Sequence, residues 1–114
     1  MSDGFDPSRS TATFTAIADF ISNPNMIDLT TVPGCGPANI RLLNDAGIFT
    51  VYQLMGQFLM LKGPDDSSID HCDKFWHWMR GIGVNAQRNT IIEAIGTKCN
   101  VAYPNIYDAS QYEA

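Results

Sequence analysis

The chain has 114 residues, 45% of them hydrophobic, with 12 acidic and 7 basic side chains and a formal net charge of -5. That length and apolar content describe one small domain able to bury its own core, and no apolar run reaches membrane-spanning length. The negative balance excludes holding a nucleic acid by bulk electrostatics alone, and three widely spaced cysteines, Cys35, Cys72 and Cys99, exclude a disulfide framework.

The opening MSDGFDPSRS is polar and holds no apolar signal core. An intracellular protein is expected, nuclear and/or cytoplasmic, with reduced thiols and no membrane insertion. Residues 1–9 are expected to be flexible, residues 10–99 to form the folded domain and residues 100–114 to be a tail. Ser10 or Thr11 can cap a first helix reaching about Ser22, with Phe14, Ile17, Ala18 and Ile21 as its apolar row. Pro24 ends it.

Residues 28–47 carry the most informative pattern. Asp28 can cap a short turn, and residues 31–48 read TVPGCGPANIRLLNDAGI. Gly34 and Gly36 bracket one residue, Pro37 fits the first turn of a helix where no donor is lost, and Gly47 fits its end. This is the pattern of a helix-hairpin-helix. Such a hairpin presents backbone N–H groups at a helix start, and those groups suit a phosphate. An ordinary tight turn between two helices is the competing interpretation, since a lone GxG carries little weight.

A third helix starts at Thr50, with Gln53 three residues on as a capping box, and runs to about Leu61. Its apolar content goes almost all the way round. One stripe satisfies a surface helix. A second stripe, with Gly56 in its middle allowing close approach, fits either a subunit interface or a central core helix. Tyr52, Met55, Gly56, Leu59, Met60 and the later Trp78 are the candidate interface residues. The polar stretch GPDDSS leads to a fourth helix from Ser67 or Ser68 to about Arg80, with Ile69, Cys72, Phe75, Trp76 and Met79 on its inner row. Asn85 is expected to cap a fifth helix built on Ile91, Ile92, Ile95 and Cys99. The tail is expected to be extended and to add little to the core. No strand and no internal repeat is predicted, so the fold class is all-α, a compact five-helix domain.

His71, Cys72, Asp73 and His77 lie on one predicted helix, but two histidines six residues apart do not share a face. Metal-ligand spacing is lacking, and Cys72 fits the core better. No nucleotide-binding loop, nucleophile elbow or paired acid and base appears, so neither enzyme activity nor a cofactor is expected. Of the basic residues, Arg41 lies one turn into the second hairpin helix and Arg88 near the start of the fifth, beside Gln87. Either can reach a phosphate at the adjacent helix start; taken singly, each also fits a solvated surface charge.

Five blocks occur in order: DFISNP, the PGCG hairpin, GQFLMLK, FWHW and GVNA. Together they resemble the barrier-to-autointegration factor family over about residues 12–98. The resemblance implies a non-enzymatic helical homodimer that binds and bridges double-stranded DNA without sequence preference. It also implies a LEM-domain protein as partner, in a groove formed at the dimer. By position, the implied phosphate donors are Gly34, Gly36, Ala38 and Asn39 in the hairpin, and Asn85, Ala86 and Gln87 at the last helix start, with Arg41 and Arg88 beside them. The family's basic residues before its DF pair are replaced here by Ala16, Ile17 and Ala18, and the lysine after its NA pair by Gln87. The basic clamp is thinned, which makes a protein–protein scaffold subunit the alternative function.

Overall fold

A computed structural model describes residues 3–113. Among them are five α-helices and three short 3-10 turns, with no strand: α1 Phe14–Ser22, α2 Pro37–Asp45, α3 Val51–Met60, α4 Ser68–Gly81 and α5 Arg88–Ala102. The all-α, five-helix expectation holds. None of these helices is long and apolar enough to cross a membrane.

Local chemistry sets most boundaries. Thr13 caps α1 by accepting from Ala16 N–H, two or three residues later than the threonine or serine expected to do so. At its far end the buried Lys98 donates to the carbonyls of Phe20 (2.7 Å) and Asn23 (2.9 Å), placing a cation where the helix dipole is negative. Thr50 caps α3 through Gln53 N–H, but Gln53 Oε1 accepts from Phe49 N–H rather than from Thr50, so the box closes one residue early. Ser67 and Asp70 form the reciprocal box that opens α4.

Two helices stop by the same device. After α2, Gly47 has φ +88, its N–H bonds Asn44 O, and Ile48 N–H reaches Leu43 O. After α4, Gly83 has φ +96, its N–H bonds Arg80 O, and Val84 N–H reaches Met79 O. Both are Schellman motifs, in which glycine adopts the left-handed conformation and two apolar residues close over the helix end. Here those pairs are Leu43 with Ile48 and Met79 with Val84, all buried.

α5 is the axis of the domain. Thr90, Ile91, Ile92, Ala94, Ile95, Gly96, Lys98 and Cys99 are all buried, and the helix packs against α1, α3 and α4. A helix covered on nearly every side needs no single apolar stripe. α3 contributes Val51, Leu54 and Phe58, and α4 contributes Cys72, Phe75, Trp76 and Met79.

Four expectations are corrected here. Residues 3–9 are not loose: Phe5 is 4% exposed, its N–H donates to Asp73, and Asp6 N–H donates to Asn89. An aromatic surrounded by charged and turn-forming neighbours gave no periodic signal. The tail is not peripheral either. α5 runs through Ala102, Tyr107 is buried with its ring against Gly96, and Gln111 accepts from Ser68 N–H. Phe5 takes Tyr107 and Tyr112 edge-on, at 6.1 and 5.3 Å, so the two ends of the chain close over one another. On α1, Ile17 packs against the core as expected, but Phe14 is 89% exposed and Phe20, outside the expected row, is the residue that enters the core. On α4, Ile69 is exposed and His71 takes a core position instead.

Candidate nucleic-acid interface

The hairpin forms largely as its residues dictate. Asp28 caps the 3-10 turn Leu29–Thr31 by accepting from Thr30 Oγ1 and Thr30 N–H, which hold its carboxyl below the usual carboxylate range. Gly34 has φ +91, and a Cβ there would meet Ile91 at 2.9 Å and Gln87 at 3.2 Å. Only glycine meets both demands. Gly36 is different: its φ is -82, it is exposed, and nothing lies within 4 Å of a Cβ built there. Gly36 is the N-cap of α2, Pro37 opens the helix, and no side chain caps it. The N–H groups of Gly36, Ala38 and Asn39 have no partner among the described residues.

The other helix start lies beside it. Asn85 does not cap α5; Gln87 does, in the left-handed conformation (φ 65), and it too gives no side-chain cap bond. The chain turns back immediately after the glycine stop of α4, so the helix can begin only after that turn is complete. The first-turn N–H groups of α5, like those of α2, have no partner among the described residues.

Asn39 joins the two ends. Its side chain is buried, and its amide donates to Gly34 O (3.1 Å) within the hairpin and to Ala86 O (3.0 Å) before α5. The side-chain amide of Asn39 thus locks the two loops together, while its backbone N–H, the group expected to meet a phosphate, has no partner among the described residues. An open cleft of about 440 Å³ runs between them, lined by Thr11, Thr30, Gly34, Gly36 and Gln87 among others.

The basic residues divide. Arg41 is exposed on α2. Arg88 is held: it donates to Val84 O (2.7 Å) and Asn85 Oδ1 (3.1 Å) and lies 4.2 Å from the Trp76 ring centre. Burial, and then the charge of Arg80, lowers its pKa. Arg88 thus braces the start of α5 more than it extends from it. Cys35, between the glycines, is buried and its thiol is pushed up to about 12 by desolvation, which disfavours the thiolate. His71 and His77 do not converge: His71 bonds Phe58 O inside the core, whereas His77 is exposed and edge-on to Trp76.

Residues sequence reasoning missed are Arg9, Thr11 and Thr30. Thr11 Oγ1 meets Gln87 Oε1 at 3.0 Å, and its N–H donates to Thr90 Oγ1. Sequence placed Arg9 in an unattached end, where the burial of Phe5 was the missing signal, and gave Thr11 only as a helix cap and Thr30 only as part of the turn before the hairpin.

The candidate interface residues lie on one helix, with Trp78 on another. Tyr52, Gly56 and Met60 follow at four-residue spacing on α3 and are exposed, Tyr52 by 61% and Met60 by 72%. Met55 and Leu59 are half-buried against the core, and Trp78 stacks on Phe75 at 5.8 Å. Gly56 has no neighbour within 4 Å of a Cβ, so close approach at this glycine is not used within one chain. No protein family, curated protein or solved structure matches this chain.

Proposed function

We propose that this protein binds the phosphate backbone of double-stranded DNA without sequence preference, through the adjacent amino-terminal ends of α2 and α5. The observation that carries this reading is the Asn39 latch, which fixes two unfilled sets of helix N–H donors beside one cleft. Backbone donors at helix starts take phosphates without needing a positive chain, and they read no base edges. A net charge of -5 is then compatible with DNA, at modest affinity. The exposed face Tyr52–Gly56–Met60 favours a homodimer, which would carry two such sites and bridge duplexes. The same face supports the second reading, a scaffold subunit with little DNA affinity, and a LEM-domain protein or another partner would sit at that interface.

Fluorescence anisotropy with unrelated duplexes at varied salt tests the proposal. Affinity should be alike for all sequences. The slope of log affinity against log salt should be shallow, about two to four phosphates per site. Gly36→Glu is the sharpest variant, because its backbone is unstrained and its surroundings empty. It should fold as the wild type does and lose DNA binding, by placing a carboxylate over the donors. A wild type that binds no duplex at roughly 50 mM salt refutes DNA binding, and sedimentation then decides whether the scaffold reading stands. A monomer of 12.6 kDa at micromolar concentration would refute the dimer.

A further inference from the structure

We infer that the amino-terminal strap, residues 3–11, is a third part of the DNA-binding surface and that Arg9 is its phosphate contact. This rests on the DNA reading above and adds to it a residue and an element that neither helix end supplies. The strap is pinned across α5 at three points: Asp6 N–H to Asn89 Oδ1 (3.0 Å), Ser10 Oγ to Glu93 Oε1 (2.8 Å) and Thr11 N–H to Thr90 Oγ1 (2.9 Å). Phe5 anchors its beginning in the core. Between these points the 3-10 turn Pro7–Arg9 brings Arg9 to the rim of a second cleft, of about 270 Å³, shared with Asn85, Arg88 and Asn89.

Two guanidinium groups line this cleft and no carboxylate does. The nearest acid to Arg9 is Asp6, but its Oδ2 comes no closer than 3.9 Å to Arg9 Nε, and its Oδ1 is taken by Ser8 N–H and Ser8 Oγ. At that distance and two-thirds exposed, Arg9 is free to turn toward an incoming anion. Arg88 has less freedom to do so, since its Nη1 serves Val84 O and Asn85 Oδ1 and its guanidinium lies 4.2 Å from the Trp76 ring centre. The division of labour follows: Arg88 fixes the start of α5, and Arg9 supplies the mobile cation. A strap tied at both ends of that turn keeps this cation at the site at low entropic loss on binding.

Salt titrations of duplex binding with the full chain test this in three variants. Arg9→Gln should melt with the wild type, bind several-fold more weakly at low salt, and lower the salt slope by about 0.9, one phosphate's worth. Thr90→Val keeps the charge and the buried volume but releases the strap at Thr11, and it should lose part of the same slope. If the wild type binds and Arg9→Gln keeps the full slope, the inference is overturned while the DNA reading stands. If Thr90→Val keeps the full slope, the strap does not position Arg9 and that half of the inference falls. A wild type that does not bind at all overturns both, and Gly36→Glu, which probes the helix ends alone, separates the failure of one contact from the failure of the surface.

Discussion

Replacing Asn39 by alanine should damage stability and the candidate site together. The side chain is 8% exposed, and its amide is the donor for both Gly34 O and Ala86 O. Two hydrogen bonds of about 0.5–1.5 kcal/mol each are lost, and the carbonyls of two loops are left without their partner. A destabilisation of about 1–3 kcal/mol follows, and for a domain of this size that lowers Tm by roughly 4–5 °C per kcal/mol. The DNA effect should exceed what unfolding explains, because at temperatures where the variant is still folded its two helix ends are no longer held in register. On the order of tenfold weaker binding, about 1.4 kcal/mol, is expected. Asn39→Asp gives a signed control. A carboxylate facing two carbonyls with no cation is disfavoured in its charged form, so its folded pKa lies above the unfolded value near 3.9. The penalty is then present at neutral pH and shrinks as pH falls through the raised folded pKa, where a protonated oxygen can donate again. Urea unfolding at several pH values, paired with anisotropy, measures both. An Asn39→Ala protein that melts within about 1 °C of the wild type and binds DNA equally well would refute the latch.

Other predictions concern the closed ends and the buried histidine. Phe5→Ala, or truncation after Ala102, should destabilise the domain by about 3 kcal/mol or more, because Phe5 and Tyr107 are each over nine-tenths buried and pack edge-on; thermal melts check it, and an unchanged Tm would contradict the packed termini. His71 is fully buried, its Nε2 donates to Phe58 O at 2.6 Å, its Nδ1 has no partner, and Lys62 and Asp66 are the charged groups near it. Burial lowers its pKa below 6.5, so its contribution is complete above that value and is lost as pH falls below it. His71→Gln, which keeps a donor but does not titrate, should therefore show a flatter stability profile between about pH 7 and pH 5, and parallel profiles would exclude His71 as the titrating group.

What was legible in the sequence was whatever depends on neighbours along the chain. Asp28, Thr50 and Ser67 act as caps, Gly47 and Gly83 act as stops, and the hairpin glycines fall where the turn needs them. These are short-range demands, met within four or five residues. What was not legible depends on partners far along the chain. Phe5 meets Tyr107 and Tyr112 a hundred residues away, and Asp6 meets Asn89. Nothing in the spacing of the first nine residues announces such a partner. The cap of α5 escaped for another reason. Asn85 has the right chemistry for an N-cap, but the glycine stop of α4 occupies the preceding residues, and the chain needs two more to turn. The side-chain role of Asn39 was not legible, because its second partner, Ala86 O, lies 47 residues away.

The acidic balance of the chain has a structural origin, and it sets the last prediction. Of the 12 carboxylates, Asp6, Asp28, Asp66, Asp70, Asp73 and Asp108 each accept a backbone N–H, mostly at a turn or helix start. Half of the negative charge thus shapes the backbone and is compatible with any function that tolerates it. Asp28 is the instructive case, because Thr30, which it caps, lines the cleft proposed to receive phosphate. Its geometry calls for an acceptor, not for a charge: one oxygen takes Thr30 N–H at 2.9 Å and Thr30 Oγ1 at 2.7 Å. Asparagine offers the same oxygen. Asp28→Asn should therefore leave the turn and the melting temperature as they are and strengthen duplex binding by a small factor, on the order of twofold at low salt. The gain should fade as the Debye length drops to about 8 Å near physiological ionic strength. Binding that is unchanged at low salt would mean that no phosphate comes near this lip of the hairpin. A gain that persists at high salt would mean that the substitution alters the turn itself.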